Sequence, residues 1–222
     1  MNAIYCPFAI GLILSVGCTQ ESASVVFPDV IEPIEEMKAS APEGTASNPY
    51  PEEFNLITED EESYAWGHLR GYLHTDMAQA WAAIRSDLVY VNHRSVTEYS
   101  VEEQNSEEYD YVFLVHNFVE DLVDVEFDIE WRHAAVDGTT DAPERVAIRW
   151  QKIEGTQFIE MLEGSVQILA VPDGRKDVVE IQVIQHMTAT LDQEENIIQY
   201  LSDLYERWQL VVHGEDIPIY EE

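Results

Sequence analysis

Between residues 123 and 131 the chain alternates without a break. Val123, Val125, Phe127, Ile129 and Trp131 are apolar, and the residues between them, Asp124, Glu126, Asp128 and Glu130, are all acids. A period of two puts these sets on opposite faces of a strand. One face must be buried and the other is an acidic wall, which points to an antiparallel sheet covered on a single side. Val146, Ile148 and Trp150 repeat the pattern, as do Val166, Ile168 and Ala170, and then Val179, Ile181 and Val183 beyond a Pro172-Asp173-Gly174 turn. With residues 68–75, 94–101 and 109–118 this predicts seven strands. Short polar turns such as Asp137-Gly138 would join them as a meander.

Two helices accompany the strands. Asp76 followed by Gln79 has the form of a capping box, and Met77, Trp81, Ile84 and Leu88 then recur on one helical face. Asp192 and Glu195 suggest a second box. After it, Ile197, Ile198, Leu201, Leu204, Tyr205, Trp208, Val211 and Val212 form one apolar stripe. Such a helix must cover the concave face of the sheet, because nothing else in the chain could.

The net charge is −33 in 222 residues. That surface repels phosphates, so nucleic acid is excluded as a partner and anionic lipid headgroups are disfavoured. With 45% hydrophobic residues the chain still has enough apolar material for one packed core.

Residues 1–17 carry no charged side chain, and the apolar run ends in Leu14-Ser15-Val16-Gly17-Cys18. The run is too short to span a bilayer and has the length of a signal-peptide core. Its end resembles a bacterial lipobox, although Ser15 stands where such a motif usually has Leu. The resemblance implies cleavage after residue 17, lipidation of Cys18 and an extracytoplasmic chain anchored in a membrane, by the identity of Thr19 the outer one. The alternative is an ordinary secretory signal with Cys18 a bystander. Only Cys6 and Cys18 are present, so no disulfide is expected in the mature domain. Residues 18–66 are rich in Glu, Ser, Ala and Pro and read as an acidic tether spanning on the order of 35 to 40 Å. In the other reading, Val25, Val26, Phe27, Val30 and Ile31 dock on the domain.

Residues 67–222 read as one α+β domain. Their order of elements, the segments 77–84, 162–168 and 200–208, and the Asp173-Gly174 turn resemble the START-like superfamily of polyketide cyclases and coenzyme Q-binding START proteins. The resemblance implies a helix-grip fold, a curved antiparallel sheet of about seven strands packed on a long C-terminal helix. It also implies a cavity for a hydrophobic small molecule such as a lipid, quinone or polyketide-like compound, with no cofactor. The inward wall would be Phe127, Ile129, Trp131, Ile148, Trp150, Phe158, Val166, Ile168, Gln185 and Met187 from strands, with Leu201, Tyr205 and Trp208 from the helix. The same side chains could instead fill the core, leaving a domain that binds another protein.

Motifs that would name a reaction are missing: there is no HExxH, CxxC, P-loop or GxSxG. An enzyme reading rests on His186, Glu160 or Tyr205 as an acid or base. His68 and His74 are too far apart in one strand to chelate an ion unaided, and His116 and His186 could meet across the sheet. No metal site is expected.

Overall fold

The computed structural model describes residues 26–28, 31–120 and 123–218. The signal segment and Cys18 lie outside them. Eight strands are present: β1 (Phe54–Asp60), β2 (Ala65–Leu73), β3 (Glu98–Gln104), β4 (Tyr111–Val119), β5 (Val125–Thr139), β6 (Ala142–Gly155), β7 (Ile159–Ala170) and β8 (Val179–Ala189). They form a single antiparallel sheet in the order β1-β2-β8-β7-β6-β5-β4-β3. Helices α1 (Met77–Ile84) and α2 (Asp87–Tyr90) carry the chain from β2 to the far edge, and α3 (Gln193–His213) closes it.

The periodicities translate directly into this architecture. Phe127 and Trp131 are buried on the concave side of β5, while Glu126 and Asp128 on its other face pair with His116. At α1 half of the capping box forms: the Gln79 backbone N–H donates to Asp76 Oδ1 at 2.8 Å, while Gln79 Oε1 accepts from the Thr75 hydroxyl at 2.9 Å. The box expected at α3 does not form. Asp192 is left-handed (φ 49°) and its side chain makes no capping bond, so only its carbonyl serves the helix, accepting from Asn196 N–H at 2.9 Å.

Aromatic residues fasten α3 to its surroundings. Tyr200 Oη donates to Tyr90 O at 2.9 Å, Tyr205 Oη to Tyr72 O at 2.7 Å, and Trp208 Nε1 to Ala80 O at 2.9 Å. Each side chain thereby buries a large apolar surface without stranding its polar end. The stripe also contains two charges that apolar periodicity does not reveal. Asp203 and Arg207 are buried; Asp203 accepts a two-pronged pair from Arg94 at 2.8 Å each, and Arg207 Nε donates to Asp203 O at 3.0 Å. Ile198, assigned to the stripe, is exposed.

Three further expectations are corrected. The sheet has eight strands, because residues 54–60 pair with β2 along its length, from Phe54 opposite Gly71 to Asp60 opposite Ala65. Asp137-Gly138 is not the β5–β6 turn: register shifts mark an irregularity there, Gly138 has φ 87°, and the strands continue to Thr139 and Ala142.

The acidic, Pro-rich stretch is not a free tether over its described length. Phe27 is buried under the Arg132 guanidinium, 4.0 Å from its ring, and residues 31–53 run across the convex face of the sheet. The Ile34 N–H donates to Ser165 Oγ, Arg149 donates to Glu32 O, and Tyr50 meets Tyr72 edge-on at 5.1 Å. Prolines that forbid a helix suit an extended strap of this kind, and the strap covers the part of the second face that carries His68, Arg149, Ser165 and His186.

Candidate functional site

A cavity of about 710 Å³ opens between the concave face, the segment after α2 and the first turns of α3. Its floor follows from the register. Gly67, Gln185, Gly164, Trp150, Trp131 and Phe113 stand side by side across six strands. Trp131 and Trp150 stack at 4.7 Å and 17°, and the Trp150 indole lies over Gly164, where a Cβ would come within 1.8 Å of it. A Cβ on Gly67 would collide with Ile197 and Leu201 of α3. Between the two glycines stands Gln185, 2% exposed, whose Oε1 has no hydrogen-bond partner among the described residues.

The remaining lining is mostly apolar, with Asn92, Ser95, Asn117, Thr190, Asn196, Tyr90 and Tyr200 as polar points. Asn117 Nδ2 is already committed to Val115 O and Phe127 O. Among the described residues no Lys, Arg or His lines the cavity, and Glu120 is its one carboxylate. Val123, Phe158 and Leu191 mark the mouth, exposed by 51%, 40% and 73%.

Of the residues predicted to line a cavity, Phe127, Ile129, Trp131, Trp150, Phe158, Gln185 and Met187 do so. Ile148, Val166 and Ile168 are at the closed end of the sheet, wholly buried in the core. Leu201, Tyr205 and Trp208 belong to the part of α3 that seals against β2 and α1, so they are core residues and not wall. Tyr200 and Asn196 from the preceding turns take their place. Tyr90, Asn117 and Leu162 were not anticipated. Asn117 shares strand parity with Phe113 and Val115, but β4 is apolar on both faces, which hides the parity in the sequence.

None of the three proposed acid–base groups reaches this space. Glu160 is exposed. Tyr205 is engaged with Tyr72 O, and burial pushes its phenol well above the usual tyrosine range. His186 points to the convex face, where it meets the strap and not His116.

There Glu35 Oε1 lies 2.7 Å from His68 Nε2 and 3.2 Å from His186 Nε2, and His186 Nδ1 is 3.6 Å from Glu163 Oε1. Three such donors could chelate an ion, but the hydrogen bonds point to a latch. Lys38 backbone N–H donates to His68 Nδ1 at 3.0 Å, so the imidazole proton is on Nε2 and is given to Glu35. A metal on Nε2 would force that proton to Nδ1 and strand a backbone donor. Lys38 Nζ, 3.3 Å from the same carboxylate oxygen and 3.8 Å from the Trp66 ring centre, adds a cation where an ion would have to sit. Burial alone would raise the Glu35 carboxyl, but hydrogen bonds from His68, His186 and Lys38 outweigh it and hold it below its usual range. Burial depresses His68, against the opposing pull of Glu35.

No family model matches the chain, and no curated protein does. Similar solved structures include the Zhui aromatase/cyclase of a Streptomyces species (9% identity, TM-score 0.41, 73% of this chain and 93% of that one). Human StAR-related lipid transfer protein 5 is another (8%, 0.48, 72% and 86%). A third is the lipid transfer and protein localization domain of human StarD13 (9%, 0.47, 74% and 85%). The fold is of helix-grip type. That statement rests on the strand order and on the helix clasped across the concave face.

Proposed function

We propose that this chain holds one hydrophobic small molecule, a lipid, quinone or polyketide-like compound, in the cavity between sheet and α3. We place it outside the cytoplasm, tied to a membrane by a lipid on Cys18. The observation that carries the binding reading is the aromatic-floored space of about 710 Å³ with its few polar points. Its size falls within the range of small-molecule sites, and the mixture of apolar walls with isolated polar groups is what such sites use for burial and orientation. The likeness to lipid-transfer and cyclase structures is in keeping with it. The support for the anchor is the uncharged run ending in Gly17-Cys18. No helix among the described residues is long and apolar enough to cross a membrane.

The test is to purify the full chain from its membrane fraction, extract it with organic solvent and identify co-purified compounds by mass spectrometry. The stripped protein is then titrated with those compounds while tryptophan emission is followed. Saturable quenching at one site per chain is the expected result. An empty extract together with no saturable quenching by lipid, quinone or polyaromatic probes would overturn the reading.

A further inference from the structure

The cavity is selective in charge as well as in polarity. Every ligand anion needs a compensating cation or a set of donors once it leaves water. Among the described residues none of the side chains lining this space is cationic, and the single carboxylate, Glu120, is negative. The chain as a whole carries −33, which adds repulsion at long range. A carboxylate or phosphate would enter against both. Lys152 does not reverse this. It sits on β6 opposite Ile129, outside the lining, and its ammonium donates to Thr156 O at 3.1 Å.

Gln185 supplies the complementary half of the argument. Its flanking glycines carry no side chain of their own, the space over them is taken by the apolar Trp150, Ile197 and Leu201, and its Oε1 is buried without a partner among the described residues. A buried amide in that condition is costly to cover with a purely apolar ligand, because water is excluded and nothing replaces it. A carboxamide offers both a donor and an acceptor, so a hydroxyl group, which is both as well, can satisfy it in either orientation.

We infer that the ligand is uncharged and amphipathic, an apolar body with a hydroxyl or carbonyl group that hydrogen-bonds Gln185, and that fatty-acid anions and phospholipids are rejected. This rests on the reading of the cavity as a small-molecule site and names its substrate class.

The experiment uses three probes of one shape on the full, delipidated chain: 1-pyrenebutanol, 1-butylpyrene and 1-pyrenebutyrate, followed by energy transfer from tryptophan to pyrene. The alcohol should bind at least about tenfold more tightly than the hydrocarbon, and the carboxylate should bind most weakly, gaining affinity as the pH is lowered far enough to protonate it. Gln185→Leu should bring the alcohol down to the level of the hydrocarbon while leaving the hydrocarbon unchanged or improved. Equal affinity for all three probes, or tightest binding of the carboxylate at neutral pH, overturns the inference but leaves the cavity in use. Failure of all three to bind overturns the inference together with the proposed function. The comparison of probes in the unmodified chain decides the matter even where Gln185→Leu folds poorly.

Discussion

The Trp150 indole lies on Gly164: a Cβ built at Gly164 would be 1.8 Å from Trp150 Cζ2 and 2.2 Å from Cε2 and Cη2. Gly164→Ala must therefore push the indole off the sheet and into the cavity. Overpacking of this kind costs about 1 to 3 kcal/mol. Thermal denaturation should show the loss, and near-ultraviolet circular dichroism should show the Trp131–Trp150 stack disturbed. A variant with wild-type melting and wild-type dichroism would mean that the indole does not lie there.

Trp208 is completely buried and donates to Ala80 O, tying α3 to α1. Trp208→Ala should cost about 3 to 5 kcal/mol, and Trp208→Phe less, since it keeps part of the packing and loses the hydrogen bond. Denaturant midpoints for the pair separate the two contributions.

His133 is fully buried with neither ring nitrogen hydrogen-bonded among the described residues, and burial, aided by the Arg85 charge, depresses it from 6.5 to about 3. Between those values the unfolded chain binds a proton that the folded one refuses. Stability should therefore fall as the pH drops below about 6.5, by about 1.4 kcal/mol per pH unit from this site. Glu35 and Glu163, both held low, add a loss in the same direction below 4.5. His133→Leu should flatten the slope between pH 6.5 and 4.5 by one proton, measured from denaturant midpoints across that range. An unchanged slope would place the proton uptake elsewhere.

Glu35 is the shared acceptor of the latch on the convex face. Glu35→Ala leaves the buried His68 Nε2–H without its acceptor, at a cost of about 1 to 3 kcal/mol. The strap should loosen before the sheet does. Faster proteolysis within residues 36–49, with a shift in Trp66 emission at unchanged melting of the domain, is the expected pattern. Proteolysis at the wild-type rate would show that the strap is held without it.

Cys18→Ser should move the protein from the membrane to the soluble fraction. Cys18 precedes the buried Phe27 by only nine residues, a reach of at most about 30 Å. Under the proposed acylation the domain is thus held close to the bilayer, not set off from it on a long stalk. A Cys18→Ser variant that stays with the membrane contradicts acylation.

The sheet was legible because strands such as β5 pair an apolar face with a charged one, and a period of two survives in the sequence. Gln185 could be placed for the same reason, from the inward parity of β8. The strap was illegible because its contacts are made by single residues, Phe27, Glu35 and Tyr50, in a stretch whose composition resembles that of an unfolded linker. In α3 the stripe found the helix but not the division of labour along it. Tyr205 and Trp208 differ from Tyr200 only in what stands opposite, and that depends on α1 and β2 arriving from far earlier in the chain.

The clasp on α3 also dictates where traffic can pass. From Tyr200 onward the helix is pinned to three separate carbonyls, so swinging it aside would break several buried bonds at once. Its first turn is held differently: Asp192 does not cap it, Gln193 Nε2 donates to Asp60 Oδ1 at 2.8 Å and Thr58 Oγ1 to Glu194 Oε1 at 2.7 Å, and Leu191 beside it is 73% exposed at the mouth. These bonds are exposed or only part-buried, so local opening costs less at this end of the helix than at the buried clasp. Any opening at the mouth is therefore confined to the residues ahead of Tyr200, while the clasp behind them stays shut.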